Sequence, residues 1–283
     1  MSQPDDPQGF GDKLRTWRGR RRLSQLELAG EAGISARHLS FVETGRSRPS
    51  REMVVHLARS LDVPLREQND LLLAAGYAPT FPQRPLADPA LHAVSEAVEM
   101  ILTGHEPYPA LALDRYWNLV SMNRAVPLLL EGVASHLLKP PVNVLRLSLH
   151  PQGLAPRIQN LGRWREHLLE RLARQLRQTA DPLLAELKGE LASYPAPDSV
   201  RRDEPDHDGI AVPLQLSGRG KVMSFISTTT VFGTATDVTV SELTLETFFP
   251  ANPQTASVLR AEHERMQQNS EPFVASVGAK GGL

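Results

Sequence analysis

Arginine side chains gather between residues 18 and 51, and their chemistry is the most direct functional signal in the sequence. Arg46 and Arg48 stand in a basic loop that follows a short helical segment. A guanidinium group forms paired, charge-assisted hydrogen bonds with phosphate oxygens, so this loop suits contact with a nucleic-acid backbone. Four more arginines lie between Arg18 and Arg22. Phosphate contact and a solvated helix end explain that second run equally well.

Two short helices joined by a tight turn must position the loop. Ser24 can cap the first helix, and Glu27, three residues later, completes a capping box. Gly33 marks the turn because glycine readily adopts a positive φ, and Ser35 can cap the second helix. Small and apolar residues recur at the spacing that two steeply crossing helices need: Ala29, Ile34, Leu39 and Val42. The pattern is typical of a DNA-binding helix-turn-helix.

This stretch, with Glu43-Thr-Gly-Arg-Ser-Arg-Pro-Ser after it, resembles the Cro/repressor-like (Xre-type) DNA-binding domain. The resemblance implies a five-helix domain whose third helix enters the major groove. It also implies an ion pair between Arg18 and Glu43 that joins the first helix to the recognition helix. Arg37 is the expected bidentate partner of a guanine. The residues expected at the DNA are Gln25, Ser35, Ala36, Arg37, His38, Phe41, Arg46 and Arg48. An ordinary helical hairpin is the alternative.

Charge and length predict a second domain. Residues 10–66 hold 12 Lys/Arg against 6 Asp/Glu, whereas the remainder holds 19 against 26. A basic N-terminal region followed by an acidic remainder is typical of a polyanion-binding module joined to a domain with another role. The chain of 283 residues has no cysteine, which excludes disulfides and thiolate sites. We find no signal peptide or long apolar run, and we expect a cytoplasmic protein that does not enter membranes.

The fold class predicted is α+β: an N-terminal all-α domain followed by a PAS-like domain with an antiparallel sheet. The expected bounds are 10–78 and 88–265, joined by a proline-bearing linker. A helix over 88–103, marked by an apolar stripe, is expected to dock on the second domain or on a second copy of the chain. Further patterns predict a hairpin over 108–123, a helix from Asn123, helices over 161–179 and from Pro182, and three closing strands that make a five-stranded sheet. The last of these strands is expected over Thr239 to Phe249, and residues 143–151 fit helix or strand equally.

The second part resembles the ligand-binding domain of the MmyB-like regulators, a PAS-like fold that follows an Xre-type domain. The likeness rests on Tyr116-Trp117-Asn118, Asn123-Arg124-Ala125, Asn143-Val144-Leu145-Arg146, His150-Pro151-Gln152-Gly153-Leu154, Trp164, Asp181-Pro182 and Phe248-Phe249-Pro250. One departure is that residues 193–208 offer only Tyr194 where the family often has a tryptophan. The resemblance implies a homodimeric transcription factor that binds a double-stranded DNA operator and encloses a small, largely apolar, fatty-acid-like molecule.

A pocket for such a ligand needs apolar walls and a few polar anchors. Arg146 or His150 could meet a carboxylate or hydroxyl group, although Arg146 could equally pair with an acidic neighbour. The expected apolar walls are Trp117, Trp164, Leu168, Phe225 and Phe249. Aromatic and leucine residues at these spacings also suit an ordinary core.

Other chemistry finds little support in the sequence. Asp203, Glu204, Asp206, His207 and Asp208 resemble a metal site only in composition, because they lack ligand spacing around a turn glycine. We find no HExxH motif, phosphate-binding loop or GxSxG elbow. The prediction is therefore no catalytic residue, no metal and no cofactor. The alternative is an enzyme or a haem- or flavin-bearing sensor with an accessory DNA-binding domain, which the absorbance of the purified protein would reveal.

Overall fold

The computed structural model describes residues 9–195, 212–218 and 220–270. The acidic segment from Asp203 to Asp208, considered above as a metal site, lies outside the described residues. The first part of the chain is a bundle of five helices, here called the head. Their bounds are α1 Phe10–Arg20, α2 Gln25–Glu31, α3 Ala36–Glu43, α4 Arg51–Ser60 and α5 Leu65–Ala74.

Serine caps set the starts of α2, α3 and α4 in the head. The Ser24 side chain accepts from the Glu27 amide at 3.2 Å, while Glu27 accepts from the Ser24 amide at 2.7 Å. Ser35 caps α3 and Ser50 caps α4 in the same way. Gly33 has φ +61°, so the turn between α2 and α3 uses the left-handed conformation that favours glycine.

Apolar side chains from all five helices close the core of the head. Leu14, Leu28, Leu39, Leu57 and Leu72 have no exposed area. Arg21 ties the end of α1 to the turn after α4, because its guanidinium donates to the carbonyls of Leu61 and Asp62, both at 2.6 Å. Arg21, one of the arginines between residues 18 and 22, therefore has a structural role inside the head that does not require contact with DNA.

The segment after α5 is attached to the head. Asn69 of α5 donates to the Phe81 carbonyl at 2.7 Å and accepts from the Thr80 and Phe81 amides at 3.0 and 3.1 Å. A 3-10 turn at Pro89–Leu91 then leads into α6, His92–Gly104. Buried Val98 and Leu102 place α6 against the sheet, as expected for the helix predicted over 88–103.

A five-stranded antiparallel sheet forms the centre of the second part, here called the sensor. Its strand order is β2-β1-β5-β4-β3. The strands are β1 Ala110–Leu113, β2 Leu119–Met122, β3 Leu214–Gly218, β4 Lys221–Val231 and β5 Thr244–Pro250. The helices are α7 Val144–Leu149, α8 Leu161–Thr179, α9 Pro182–Ser193, α10 Val238–Ser241 and α11 Pro253–Ser270. The prediction of a five-stranded sheet is confirmed.

Two elements differ from the sequence prediction. The strand expected over Thr239 to Phe249 begins only at Thr244, because Asp237 accepts from the Thr239 amide at 2.9 Å and caps the short helix α10. The helix expected from Asn123 is a 3-10 turn at Val126–Leu130. Residues 143–151, which fit helix or strand, form α7 because Asn143 caps it through the Leu145 and Arg146 amides.

The two faces of the sheet are covered differently. One face packs on α7, α8 and α9 through the largest apolar cluster in the described chain, which includes Leu172 and Phe225 at 0% exposure. The opposite face carries α6 and the smaller cluster of Ala110, Ala112 and Leu245. The larger side therefore has the depth in which a cavity can form.

Candidate DNA-binding surface and ligand cavity

Helix α3 presents an apolar inner face and a polar outer face. Leu39 and Val42 are buried at 0 and 1% exposure. Arg37 is exposed, and its guanidinium lies 5.4 Å from the centroid of the Phe41 ring. Ala36, His38 and Phe41 are partly buried, and Ser35 is occupied as the helix cap. The outer face of α3 therefore offers a supported cation that can reach a base edge.

Glu43 connects three elements behind α3. Its side chain has no exposed area, and Arg18 donates to it twice, at 2.7 and 3.0 Å. Gln25, at the start of α2, also donates to it at 2.7 Å. Burial raises the pKa of Glu43, but the hydrogen bonds from Arg18 and Gln25 outweigh it, so the net pKa is lowered. The predicted pair of Arg18 and Glu43 is confirmed.

The two loop arginines occupy different surroundings. Arg46 is exposed. Arg48 donates to the Ala75 carbonyl at 3.3 Å and lies 5.5 Å from the Tyr77 ring centroid. Arg48 therefore helps to hold the loop against the end of α5, although Arg48 is exposed like Arg46. DNA contact by either one stays a prediction.

A cavity of about 80 Å³ lies between the sheet and helices α7 and α8. Of the predicted wall residues, Trp117, Trp164 and Leu168 line it. Phe225 is buried behind it, with its ring edge-to-face on Phe248. Sequence reasoning missed most of the apolar walls, which include Leu111, Leu119, Val126, Leu129, Leu130 and Val144. The sequence feature that could have indicated these walls is the apolar hairpin, followed by the run of leucines at residues 128–130.

Phe248 and Phe249 show how strand alternation decides which ring reaches the cavity. Successive side chains of a strand point to opposite faces of a sheet. Phe248 lines the cavity and is 8% exposed. Phe249 is 43% exposed, and its ring meets His105 edge-to-face at 4.7 Å on the other side. The structure therefore places the predicted Phe249 away from the cavity.

The polar anchors predicted from the sequence lie outside the cavity wall. Arg146 donates to both oxygens of Glu190, at 2.8 and 2.7 Å. Tyr194 donates to the same carboxylate at 2.5 Å, and burial together with that contact raises its pKa to about 12. The His150 ring packs edge-to-face on Tyr194, with centroids 5.1 Å apart. A ligand role for Arg146 and His150 stays a prediction.

Two other polar residues do line the cavity. Ser148 accepts from the indole N–H of Trp164 at 2.8 Å. Glu246 is 5% exposed and accepts from Arg171 at 2.8 Å. Arg171 also lies 4.7 Å from the centroid of the Trp117 ring. The cavity wall is therefore apolar apart from one hydroxyl and one carboxylate among the described residues.

The head and the sensor meet at a second charged cluster, here called the junction, formed by Arg66, Glu67, Arg115, Asp181 and Glu242. Arg66 of α5 donates to both oxygens of Glu242, at 2.8 and 2.7 Å. Arg115 donates to Glu242 at 2.8 Å and to Asp181 at 2.5 Å, and lies 3.7 Å from Glu67. Burial raises the pKa of Glu67, and its Oε2 is buried without a hydrogen-bond partner among the described residues.

A chain of hydrogen bonds connects the cavity wall to the junction. The indole of Trp117 donates to the side-chain oxygen of Gln175 at 2.8 Å. Gln175 in turn donates to the backbone carbonyl of Arg115 at 2.7 Å. Trp117 has φ +67°, an uncommon conformation for a side chain of its size. Trp117 therefore lines the cavity and is also connected, through Gln175, to the backbone of Arg115.

A helix-turn-helix head with an exposed cation on its third helix, joined to a domain with an apolar cavity, defines a DNA-binding transcription regulator with a ligand-binding domain. Comparison with family models agrees: a helix-turn-helix domain family matches residues 10–71. The MmyB-like transcription regulator ligand binding domain matches residues 94–261, more than half of the chain. The chain belongs to this MmyB-like family, and the matches are to regulators and not to an enzyme.

Curated proteins include one that is similar to part of this chain. The uncharacterized HTH-type transcriptional regulator RghRB of Bacillus subtilis (strain 168) is 37% identical over 75 residues. That alignment covers 26% of this chain and 52% of the relative, so the chain spans about half the length of the curated relative it matches. Across the part of the chain that the structure describes, none of the helices has the length and apolar character needed to cross a membrane.

Proposed function

We propose that the sensor binds a small, largely apolar ligand with a fatty-acid-like chain, and that this ligand adjusts operator binding by the head. The observation that carries the proposal is the apolar cavity in the core of the matched ligand-binding region. Apolar walls with a few placed polar groups are the usual composition of small-molecule sites. Trp117, Trp164 and Leu168 supply walls in this proposal.

The size of the cavity adds a condition. Pockets for drug-sized ligands commonly enclose about 300–1,000 Å³, whereas this cavity has about 80 Å³. A chain as long as a fatty acid therefore enters only if wall side chains move outward. The walls Leu130 and Val144 are the natural ones to move, because they are only partly buried.

At the DNA, the proposal assigns base contact to Arg37 with Ala36, His38 and Phe41 beside it. The proposal assigns contact with the backbone of a double-stranded operator to Arg46, Arg48, Gln25 and Ser35. We include a homodimer in the proposal, because a helix-turn-helix dimer reads two half-sites about one helical turn apart. The sensor resembles a PAS domain in that its β1–β2 hairpin leads into a helical turn.

Native mass spectrometry of the purified protein tests the ligand proposal. We expect a co-purified small molecule in the parent protein and in Val120→Phe, whose site is 41% exposed on β2 and away from the cavity. We expect its loss in Val144→Phe, which makes the same change at the cavity wall. The proposal fails if 1-octanol and octanoate, added to ligand-free protein, both leave the tryptophan fluorescence unchanged. Retention of the molecule by Val144→Phe also contradicts the assignment of this cavity.

Sedimentation and operator titration test the dimer. We expect the purified protein to sediment as a dimer and to protect two half-sites on DNA. A monomer that binds one half-site with full affinity would contradict this part of the proposal.

A further inference from the structure

The ionisable side chain that faces the cavity is a carboxylate. Glu246 lies in the middle of β5, paired with Leu111 of β1 and Thr229 of β4. Its side chain points to the same face as Phe248, into the cavity wall, and only 5% of the residue is exposed. A ligand in this cavity therefore meets a buried acceptor.

Arg171, the arginine beside Glu246, already has hydrogen-bond partners in the protein. One Arg171 nitrogen donates to Glu246 Oε1 at 2.8 Å, and another donates to the Thr229 hydroxyl at 2.6 Å. The guanidinium stacks on Trp117 and faces the polar cleft of about 260 Å³ on the far side of that ring. Arg171 consequently pairs with Oε1 of Glu246 from the side of the cleft and does not present its cation to the cavity, so the cavity faces the carboxylate.

These contacts leave acceptor capacity at Glu246. An ionised carboxylate has about four lone-pair sites, and the donor that the described residues bring to it is Arg171, on Oε1. A hydroxyl or amide N–H can donate to Oε2, and hydrogen bonds to an ionised acceptor are stronger than neutral ones. A ligand carboxylate would instead bring a second negative charge beside the first in a poorly solvated site, which is unfavourable.

We infer that Glu246 recognises the polar end of the ligand, and that the ligand ends in a neutral hydrogen-bond donor, a hydroxyl or an amide, in place of a free carboxylate. The inference rests on the proposed function, because it requires an apolar chain in the cavity. It assigns the polar end to Glu246, whereas the sequence had suggested Arg146 or His150.

Two probes of equal chain length test this inference at neutral pH: 1-octanol and octanoate. Binding is followed by the fluorescence of the tryptophans, two of which line the cavity. We expect the wild-type protein to bind 1-octanol about ten-fold or more tightly than octanoate. A ten-fold ratio is the effect of a modest difference in interaction between a charged and a neutral group. Equal affinity, or tighter binding of octanoate, overturns the inference while leaving the proposed cavity in place.

Two variants locate the effect. Glu246→Gln removes the charge and keeps an acceptor for Arg171, so we expect octanoate to bind more tightly and the preference to disappear. Glu190→Gln makes the same change at the Arg146 pair, outside the cavity, and we expect the preference to remain. If octanoate binding improves in Glu190→Gln and not in Glu246→Gln, Arg146 is the anchor and the inference is wrong. If neither probe binds the wild-type protein, the proposed function fails and this inference fails with it.

Discussion

Two clusters of arginine and carboxylate hold this molecule together, and their surroundings differ. In the head, the Glu43 side chain has no exposed area, and its partner Arg18 is 16% exposed. At the junction, Glu242 is 18% and Arg66 is 29% exposed, beside a cleft of about 260 Å³. The first cluster joins helices of one domain. The second joins two domains through the partly exposed pair of Arg66 and Glu242, beside Arg115 and Asp181, which are only 10 and 9% exposed.

This difference predicts different roles for the two clusters. A buried pair destabilises the fold strongly when one partner is removed, because the other charge is left without compensation. A solvent-screened pair contributes little to stability. The head cluster should therefore fix the internal geometry of one domain. The Arg66–Glu242 contact at the junction should form and break at little cost, as a contact that transmits ligand binding must.

The largest expected effect is the loss of stability when Arg18 is removed from the head cluster, compared with removal of Arg66 from the junction. Arg18→Ala should lower the free energy of unfolding of the head by about 3–5 kcal/mol, because it leaves Glu43 buried and poorly compensated. Arg66→Ala should cost only about 0–1 kcal/mol, because its pair is partly exposed. Urea denaturation of both variants measures the contrast, and equal losses would refute the distinction.

A double-mutant cycle sharpens the same contrast. Arg18 and Glu43 should show a coupling energy of about 0.5–3 kcal/mol. Additive losses within error would mean that the contact in the structure contributes nothing specific.

A charge outside both clusters should affect DNA binding and not folding. Arg37→Ala should weaken specific operator binding by about 1–3 kcal/mol and relax the preference at one base position. Arg46→Ala should weaken binding to all sequences alike and reduce the salt dependence. Binding titrations on operator and random duplexes distinguish the two, and equal losses on both duplexes for Arg37→Ala would exclude base reading.

A smaller effect is expected at the link between cavity and junction. Gln175→Leu breaks the hydrogen bonds from Trp117 and to Arg115. Mutations along such a coupled network change coupling by about 0.5–2 kcal/mol, so the ligand should shift operator affinity less in this variant. Gln178→Leu is the control, because Gln178 lines the same cleft but is not part of the hydrogen-bond chain from Trp117 to Arg115. Unchanged ligand dependence in Gln175→Leu would place the coupling elsewhere.

The smallest effect is a pH dependence of opposite sign in the two clusters. The pKa of Glu43 is held below its ordinary value of 4.5, so its contribution to head stability is present above that value and lost as the pH falls through the lowered pKa. Burial raises the pKa of Glu67, so its contribution to the junction is present below 4.5 and lost as the pH rises through the raised pKa.

Urea denaturation across acidic pH compares the parent protein with two variants. Glu43→Gln should flatten the loss of head stability at low pH, and Glu67→Gln should remove the opposite trend at the junction. The same slope for the parent protein and both variants would contradict the assignment.

The head could be predicted from its sequence in detail, because its signals are local. The Ser24–Glu27 box and Gly33 act within a few residues, and the 25-residue separation of Arg18 and Glu43 was supplied by the family resemblance. The five strands of the sensor were also readable from alternation. The one-residue offset that sends Phe248 to the cavity and Phe249 outward was not, because alternation alone does not say which face is inner.

Charge partners in the sensor and at the junction escaped prediction for another reason. Arg146 and Glu190 lie 44 residues apart, and Arg66 and Glu242 lie 176 apart. No local pattern indicates such pairs, since the folded sheet and helices bring them together. The candidate site was therefore predictable in three of its apolar walls, Trp117, Trp164 and Leu168, and not in its other walls or its polar groups.

The small volume of the cavity also has a consequence for rates and populations. If only a fraction of the molecules has the walls moved outward, the apparent dissociation constant equals the intrinsic one divided by that fraction. Substitutions such as Leu130→Ala, which favour the open walls before any ligand arrives, would then tighten binding without adding a contact. They would also speed association, because a larger fraction of the molecules would have an open cavity when the ligand arrives.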